Sequence, residues 1–236
     1  MAYQSSFQRY EIKYMLTRSQ KDALLNVMEP YMKLDQYGRT TIRNIYYDTP
    51  NYRLIRRSIE RPIYKEKLRV RSYDQVAPGG DVFVELKKKF KKVVYKRRLV
   101  MPIGDARAWL AGDDSLKPDS QIGSEIRYFR DFYGELRPTV FLSYEREAFY
   151  SLDGSDFRIT MDENILARDH DLDLCSEAYG TAILPEDITL LEVKAPGAIP
   201  LWLTRFLTEN KIYKTSFSKY GTAYRTMLFK GGKLCV

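Results

Sequence analysis

Lys67, Arg69 and Arg71 alternate with Leu68 and Val70, and further on Phe83, Glu85 and Lys87 alternate with Val82, Val84 and Leu86. Successive side chains of a strand point to opposite sides, so this spacing gathers cations on one face and aliphatics on the other. Between residues 53 and 98, sixteen Lys and Arg stand against five Asp and Glu, a local balance of +11 that exceeds the +8 of the whole chain. Guanidinium and ammonium groups fixed on a rigid sheet can clamp the oxygens of a polyanion, arginine with paired hydrogen bonds and lysine as a point charge. The chemistry on offer is the binding of a phosphate-rich ligand.

Further strand-like segments repeat the pattern. Arg9, Glu11 and Lys13 share one face, Lys96 and Arg98 another; Arg146 goes with Tyr144, Arg158 with Thr160 and Asp162, and Glu192 with Lys194. Such faces either look into water, as one side of many antiparallel sheets does, or line a lumen. The dominance of Arg and Lys on strand after strand favours a wide barrel with a basic interior, because like charges need an anion among them. Of the run Lys87-Lys88-Lys89-Phe90-Lys91-Lys92, only Lys87 is assigned inward, the rest to a solvated turn. Ser218 reads as a helix N-cap, which places Lys219 in a first helical turn. There it either points to water or helps to hold an anion. Glu192 and Lys194 are either a metal ligand beside a phosphate-binding lysine or a plain cross-strand ion pair.

The elements that must position these residues are mostly strands, expected at residues 7–15, 40–47, 63–73, 81–89, 93–101, 139–150, 157–164 and 189–194. Helical spacing is scarce. Thr17 and Gln20 form a capping-box start for a helix ending near Pro30; others are expected at 105–110, 122–136, from Pro200 through Leu207, and at 218–228. The acidic stretch 168–187 reads as a loop, and no linker divides the chain. The fold class is therefore α+β, an antiparallel β-barrel tunnel of about eight strands with helices packed outside, in a single domain over 1–236.

Composition narrows the chemistry. A lone histidine, His170, argues against histidine-rich zinc sites and Ser/His/Asp triads, so any metal must use carboxylates, which suits Mg or Mn. Two cysteines, Cys175 and Cys235, provide no disulfide framework, and no segment reaches the ~18 apolar residues of a membrane span. A cytoplasmic setting is expected. The pI of 9.3 and nineteen tyrosines would also suit a nucleic-acid binder. Stacking tyrosines should then share the basic face, for which Tyr10, Tyr73 and Tyr95 give only partial support, and nucleic acid is not the expected partner.

In order and spacing, Phe7-Gln8-Arg9-Tyr10-Glu11-Ile12-Lys13-Tyr14, Ile45-Tyr46-Tyr47-Asp48, Lys67-Leu68-Arg69-Val70-Arg71, Phe83-Val84-Glu85-Leu86-Lys87, Ser143-Tyr144-Glu145-Arg146, Phe157-Arg158-Ile159-Thr160-Met161-Asp162, Leu191-Glu192-Val193-Lys194 and Phe217-Ser218-Lys219-Tyr220 resemble the VTC domain. This is the polyphosphate polymerase catalytic domain of the vacuolar transporter chaperone family, within the triphosphate tunnel metalloenzyme (CYTH-like) superfamily. The resemblance runs from about residue 7 to 228. It implies a polymerase that moves the γ-phosphoryl of ATP onto a growing polyphosphate chain with divalent Mn or Mg. A tunnel triphosphatase or a non-enzymatic polyphosphate-binding module are the alternatives.

Carried over by position, Lys13, Arg69, Arg71, Lys87, Arg146, Arg158 and Lys219 match the catalytic phosphate-binding cations, and Glu192 matches the metal carboxylate. Arg9, Lys67, Lys96, Arg98, Lys194 and Ser218 are expected to bind substrate, with Lys96 the first choice for a further tunnel lysine and Arg98 the alternative. Hydrolytic relatives open with a Glu-x-Glu-x-Lys strand; Arg9-x-Glu11-x-Lys13 is closer to the polymerase form. Neither the SPX domain nor the membrane helices of eukaryotic members are recognisable here, which leaves room for a separate membrane protein as partner.

Overall fold

The structure is a computed structural model that describes residues 10–91 and 93–229. Its contacts divide the chain into two compact units made of interleaved segments. The first comprises residues 10–41, Tyr144–Ile165 and Leu184–Ser218; the second comprises Ile42–Ser143, Leu166–Ile183 and residues 219–229.

In chain order the elements are β1 (Tyr10–Thr17), α1 (Arg18–Met28), β2 (Met32–Asp48), α2 (Arg53–Ile59), β3 (Tyr64–Tyr73), β4 (Asp81–Phe90), β5 (Val93–Pro102), α3 (Ile103–Ala111), α4 (Gln121–Tyr133), β6 (Arg137–Ser151), β7 (Arg158–Arg168), β8 (Thr181–Ala182), β9 (Ile188–Ala195), α5 (Leu201–Glu209), β10 (Lys214–Thr215) and α6 (Lys219–Ala223), which continues as a wider π turn over Tyr224–Leu228. The strands form one sheet in the order β10-β1-β9-β7-β6-β2-β3-β4-β5, with β8 on β7. The fold is α+β and antiparallel as expected, with ten strands rather than about eight among the described residues. Hydrogen bonds do not close it, since β10 and β5 stand at the two ends of the order.

In the first unit, Thr17 Oγ1 accepts from the Gln20 amide at 3.3 Å and Gln20 Oε1 accepts from the Thr17 amide at 3.0 Å, the reciprocal cap that starts α1. The helix then buries Leu24 and Met28 in one core with Leu16, Leu191, Val193, Leu203 and Phe206. In the second unit the aliphatic parity of β3 and β4 is inward to a core. Leu68 and Leu86 are fully buried, with Val70 and Val84, beneath Trp109 of α3 and Ile126 and Phe129 of α4. Each such leucine contributes about 1.5–3 kcal/mol by leaving water, and this fixes which parity remains for the cations.

Three elements depart from expectation. Helix α2 has no strong stripe of its own and starts after Tyr52, whose φ of 59° is left-handed. It is held instead by the buried Asp48 carboxylate, which accepts from the amides of Leu54 and Ile55 at 2.9 Å each and from the Tyr220 hydroxyl at 2.8 Å. The stretch 168–187 is an ordered loop that includes β8. It is built around Arg168, which is 0% exposed, donates to the carbonyls of Asp171, Glu177 and Tyr179, and stands 3.6 Å over the Phe141 ring. Strand β10 is two residues long and pairs with Lys13 and Tyr14, too short for any periodic signal.

Candidate functional site

Strand register converts the alternation into rows. On β2 to β5, Tyr46 pairs with Arg69, Arg69 with Glu85, and Glu85 with Arg98; in the next row Lys67 pairs with Lys87 and Lys87 with Lys96. All these residues lie on the face opposite the Leu68 core. Glu85, 1% exposed, is the hub: its carboxylate lies 2.6 Å from Arg69, 2.8 Å from Lys96, 2.5 Å from Arg98 and 3.9 Å from Arg71. Four cations thus stand within 4 Å of one carboxylate.

Other side chains hold the hub's arginines in place. Arg71 is buried and donates through Nε to Asn44 Oδ1 at 3.0 Å, while Asn44 donates onward to the Leu142 carbonyl at 3.2 Å. Arg69 donates to the Tyr46 hydroxyl at 3.0 Å, and the Tyr46 ring stacks on Tyr220 with centroids 4.6 Å apart. The Arg98 guanidinium lies 4.5 Å over the Phe83 ring.

The charges shift one another's titration. Burial pushes the Glu85 carboxyl up, but Arg69, Arg71 and Lys96 outweigh it and hold it far below the usual carboxylate range. Desolvation leads in pushing the Lys96 ammonium down to about 8, against the pull of Glu85, even though its side chain is 44% exposed. For Tyr46 burial raises the phenol, and Arg69, Lys67 and Arg71 overcome it to bring it to about 8.

In the first unit a second cluster forms on β1, β9, β7 and β6. Lys13 and Glu192 are cross-strand partners whose charged atoms lie 3.0 Å apart; Arg146 and Lys194 stand 3.7 and 3.9 Å from the same carboxylate. Arg146 also donates to both oxygens of Asp162, at 2.6 and 2.7 Å. Glu11 lies 3.7 Å from Lys13, whose ammonium also donates to the Phe217 carbonyl at 3.0 Å. Here acids nearly balance bases, in contrast to the Glu85 cluster.

Burial alone would lower the Lys13 ammonium, but Glu192 and Glu11 raise it above its ordinary value. Burial and Arg146 push Lys194 down. Arg146 is held well above its ordinary value: desolvation opposes, and Tyr144, Asp162 and Glu192 prevail.

Arg69, Arg71, Lys96 and Arg98 thus meet at Glu85, with Lys67 and Lys87 in the adjoining row; Lys13, Arg146, Lys194 and Glu192 meet in the first unit. Arg158 is the register partner of Lys194, but its side chain is 58% exposed and lies 3.4 Å from Asp156. Ser218 ends the first unit and Lys219 opens α6 in the second. Arg9 lies outside the described residues. Lys89, expected in a solvated turn, shares the face and parity of Lys87, whereas Lys88 points the other way, 3.8 Å from Glu125. Glu85, Asp162, Asn44 and Tyr46 carry roles that the sequence alone did not assign. The signal for Glu85 was a lone acid set at strand parity among cations; Asp162 and Tyr46 stood in the family-like motifs without a role, and Asn44 had no signal.

A sheet face that concentrates cations around buried carboxylates has the chemistry to take the oxygens of a phosphate-rich ligand. A family model described as the VTC domain matches residues 8–228, and the chain belongs to that family. Among solved structures, a Bacillus halodurans protein described as a candidate adenylate cyclase is similar with a TM-score of 0.58 at 13% identity, over 94% of this chain and 99% of that one. A Hippeastrum candidate adenylyl cyclase whose dominant activity is that of a triphosphatase is similar with a TM-score of 0.55 at 18% identity, over 92% and 94% of the two chains. At these identities the likeness concerns the fold. No curated protein matches the chain.

Proposed function

We propose that the protein is a polyphosphate polymerase that transfers the γ-phosphoryl of ATP to a growing inorganic polyphosphate chain. The observation that carries this reading, together with membership of the VTC family, is the Glu85 hub, where four cations share one carboxylate. Phosphoryl transfer needs positioning and charge stabilisation more than a covalent nucleophile, and the cluster contains neither histidine nor cysteine.

In this reading Arg69, Arg71 and Arg98 grip phosphate oxygens with forked hydrogen bonds, their planes pre-set by Glu85, Asn44 and Phe83. Lys67, Lys87 and Lys96 add point charges along the neighbouring row. Lys13, Arg146, Arg158, Lys194, Ser218 and Lys219 act on phosphate oxygens as well, as does Arg9.

Among the described residues no group of three or more acidic, histidine or cysteine side chains could cage a metal. Magnesium and manganese sites that take one or two carboxylates, with phosphate oxygens and water completing the shell, need no such cage. The buried hard-oxygen donor Glu192, with Glu11 nearby on the adjacent strand, fits such an ion. When bound, it would neutralise charge on the phosphoryl group in transit. Lys13, 3.0 Å away, holds Glu192 in position.

No helix among the described residues is long and apolar enough to cross a membrane. We assign the reaction to the cytoplasm and to one catalytic domain, a reading that leaves room for a membrane protein as partner. Incubation with ATP, Mn and a pyrophosphate primer, resolved on a gel stained for polyphosphate, tests the proposal. A ladder that disappears in Glu192→Ala supports it; phosphate release without polymer points instead to a tunnel triphosphatase.

A further inference from the structure

Lys65 and Lys89 are direct cross-strand partners on β3 and β4, one row beyond Lys67 and Lys87 and on the same face as Arg69 and Glu85. Both are half-buried. Lys65 donates to the Ser58 carbonyl at 3.2 Å, and among the described residues neither lysine forms an ion pair with a carboxylate. The nearby acids are engaged on the opposite parity: Glu66 takes hydrogen bonds from Tyr64 and Tyr133, and Glu125 faces Lys88 and Arg97. Like charges directly opposite on a sheet repel, and the charges facing Lys65 are all cationic: Lys89, Lys87 and Arg61. Burial and these three cations push its ammonium below its ordinary value.

The rows also change in kind along the strands. Arg69 and Arg98, joined through Glu85, present fixed forks, whereas Lys67, Lys87 and Lys96, and then Lys65 and Lys89, present point charges only. Forks suit a group that must be held in one geometry; point charges tolerate a chain that advances by one phosphate per cycle. The Lys89 row lies four strand residues from Glu85, roughly 14 Å, further than the two P–O–P links of a triphosphate extend.

We propose that Lys65 and Lys89 form a further phosphate subsite that holds a polyphosphate chain beyond the arginine row. This rests on the phosphate-binding reading of the β3–β5 face and extends it to the length of the ligand.

The test is to titrate inorganic tripolyphosphate and a long-chain polyphosphate into the wild-type protein, a Lys65→Gln/Lys89→Gln double variant and a Lys65→Arg/Lys89→Arg control. The expected result is a roughly tenfold loss of long-chain affinity in the glutamine variant, about 1.4 kcal/mol. Its salt dependence becomes shallower, tripolyphosphate affinity stays unchanged, and the arginine control recovers the wild-type values. Equal losses for both ligands, or no loss for the long chain, would overturn the subsite. Length-dependent binding in a protein that makes no polymer would sink the polymerase reading and leave the subsite standing.

Discussion

Arg146 and Asp162 form a two-pronged ion pair, Nε to Oδ1 at 2.6 Å and Nη2 to Oδ2 at 2.7 Å, with Asp162 at 0% exposure. Removing one partner of a buried pair strands the other charge in a poorly solvated place. Asp162→Ala should therefore lose about 3–5 kcal/mol of stability in urea unfolding. The double substitution Arg146→Met/Asp162→Leu should lose much less. Equal losses in the single and double variants would show that the charge pairing is not what matters.

Glu85 is the internal counter-ion of the cationic β3–β5 face. Its carboxyl titrates below its unfolded value, so it adds stability above the unfolded pKa, which disappears as pH falls through the folded one. Below about pH 4 the wild type should lose stability more steeply than Glu85→Gln. Without ligand, the variant should be less stable at pH 7 and should gain more in melting temperature from tripolyphosphate, which then takes over the carboxylate's place. An identical ligand-induced shift in both proteins would contradict this role.

Two groups on the same face titrate near pH 8, the Tyr46 phenol and the Lys96 ammonium. Above that pH Tyr46 becomes an anion beside Arg69, and Lys96 loses its charge; both changes disfavour phosphate. Tripolyphosphate affinity should thus fall between pH 7 and 9. In Tyr46→Phe the part due to the phenolate, about fivefold for one hydrogen-bond equivalent, should vanish. A pH profile of the variant superimposable on wild type would exclude Tyr46 as a contributor.

Divalent metal and phosphate binding should separate. Chelation with EDTA, or Glu192→Ala, should abolish turnover of ATP while tripolyphosphate affinity at the Glu85 cluster changes by no more than about threefold, the size of a modest ionic contact. Loss of binding along with turnover would place Glu192 in anion recognition instead.

Much of this was legible because the information was local. The alternation of Lys67 to Arg71 with Leu68 and Val70 declared both faces of β3, and the Thr17–Gln20 cap declared the start of α1. What remained hidden depended on register or on distant partners. The Glu85 hub exists only because β3, β4 and β5 align residues 69, 85 and 98, which no single strand reveals. Helix α2 draws its cap from Asp48, with Tyr220 from the far end of the chain completing that carboxylate's hydrogen bonds. The lysine run misled for a simpler reason: consecutive identical residues conceal parity, and Lys89 shares the face of Lys87 while Lys88 does not.

The central claim is tested most directly by following the terminal phosphate of γ-labelled ATP during turnover with Mn and a pyrophosphate primer. The account predicts that label accumulates in acid-precipitable polymer in step with ADP, with little free phosphate. Label appearing chiefly as free phosphate, or ATP left intact by a protein that binds it, would contradict a polyphosphate polymerase.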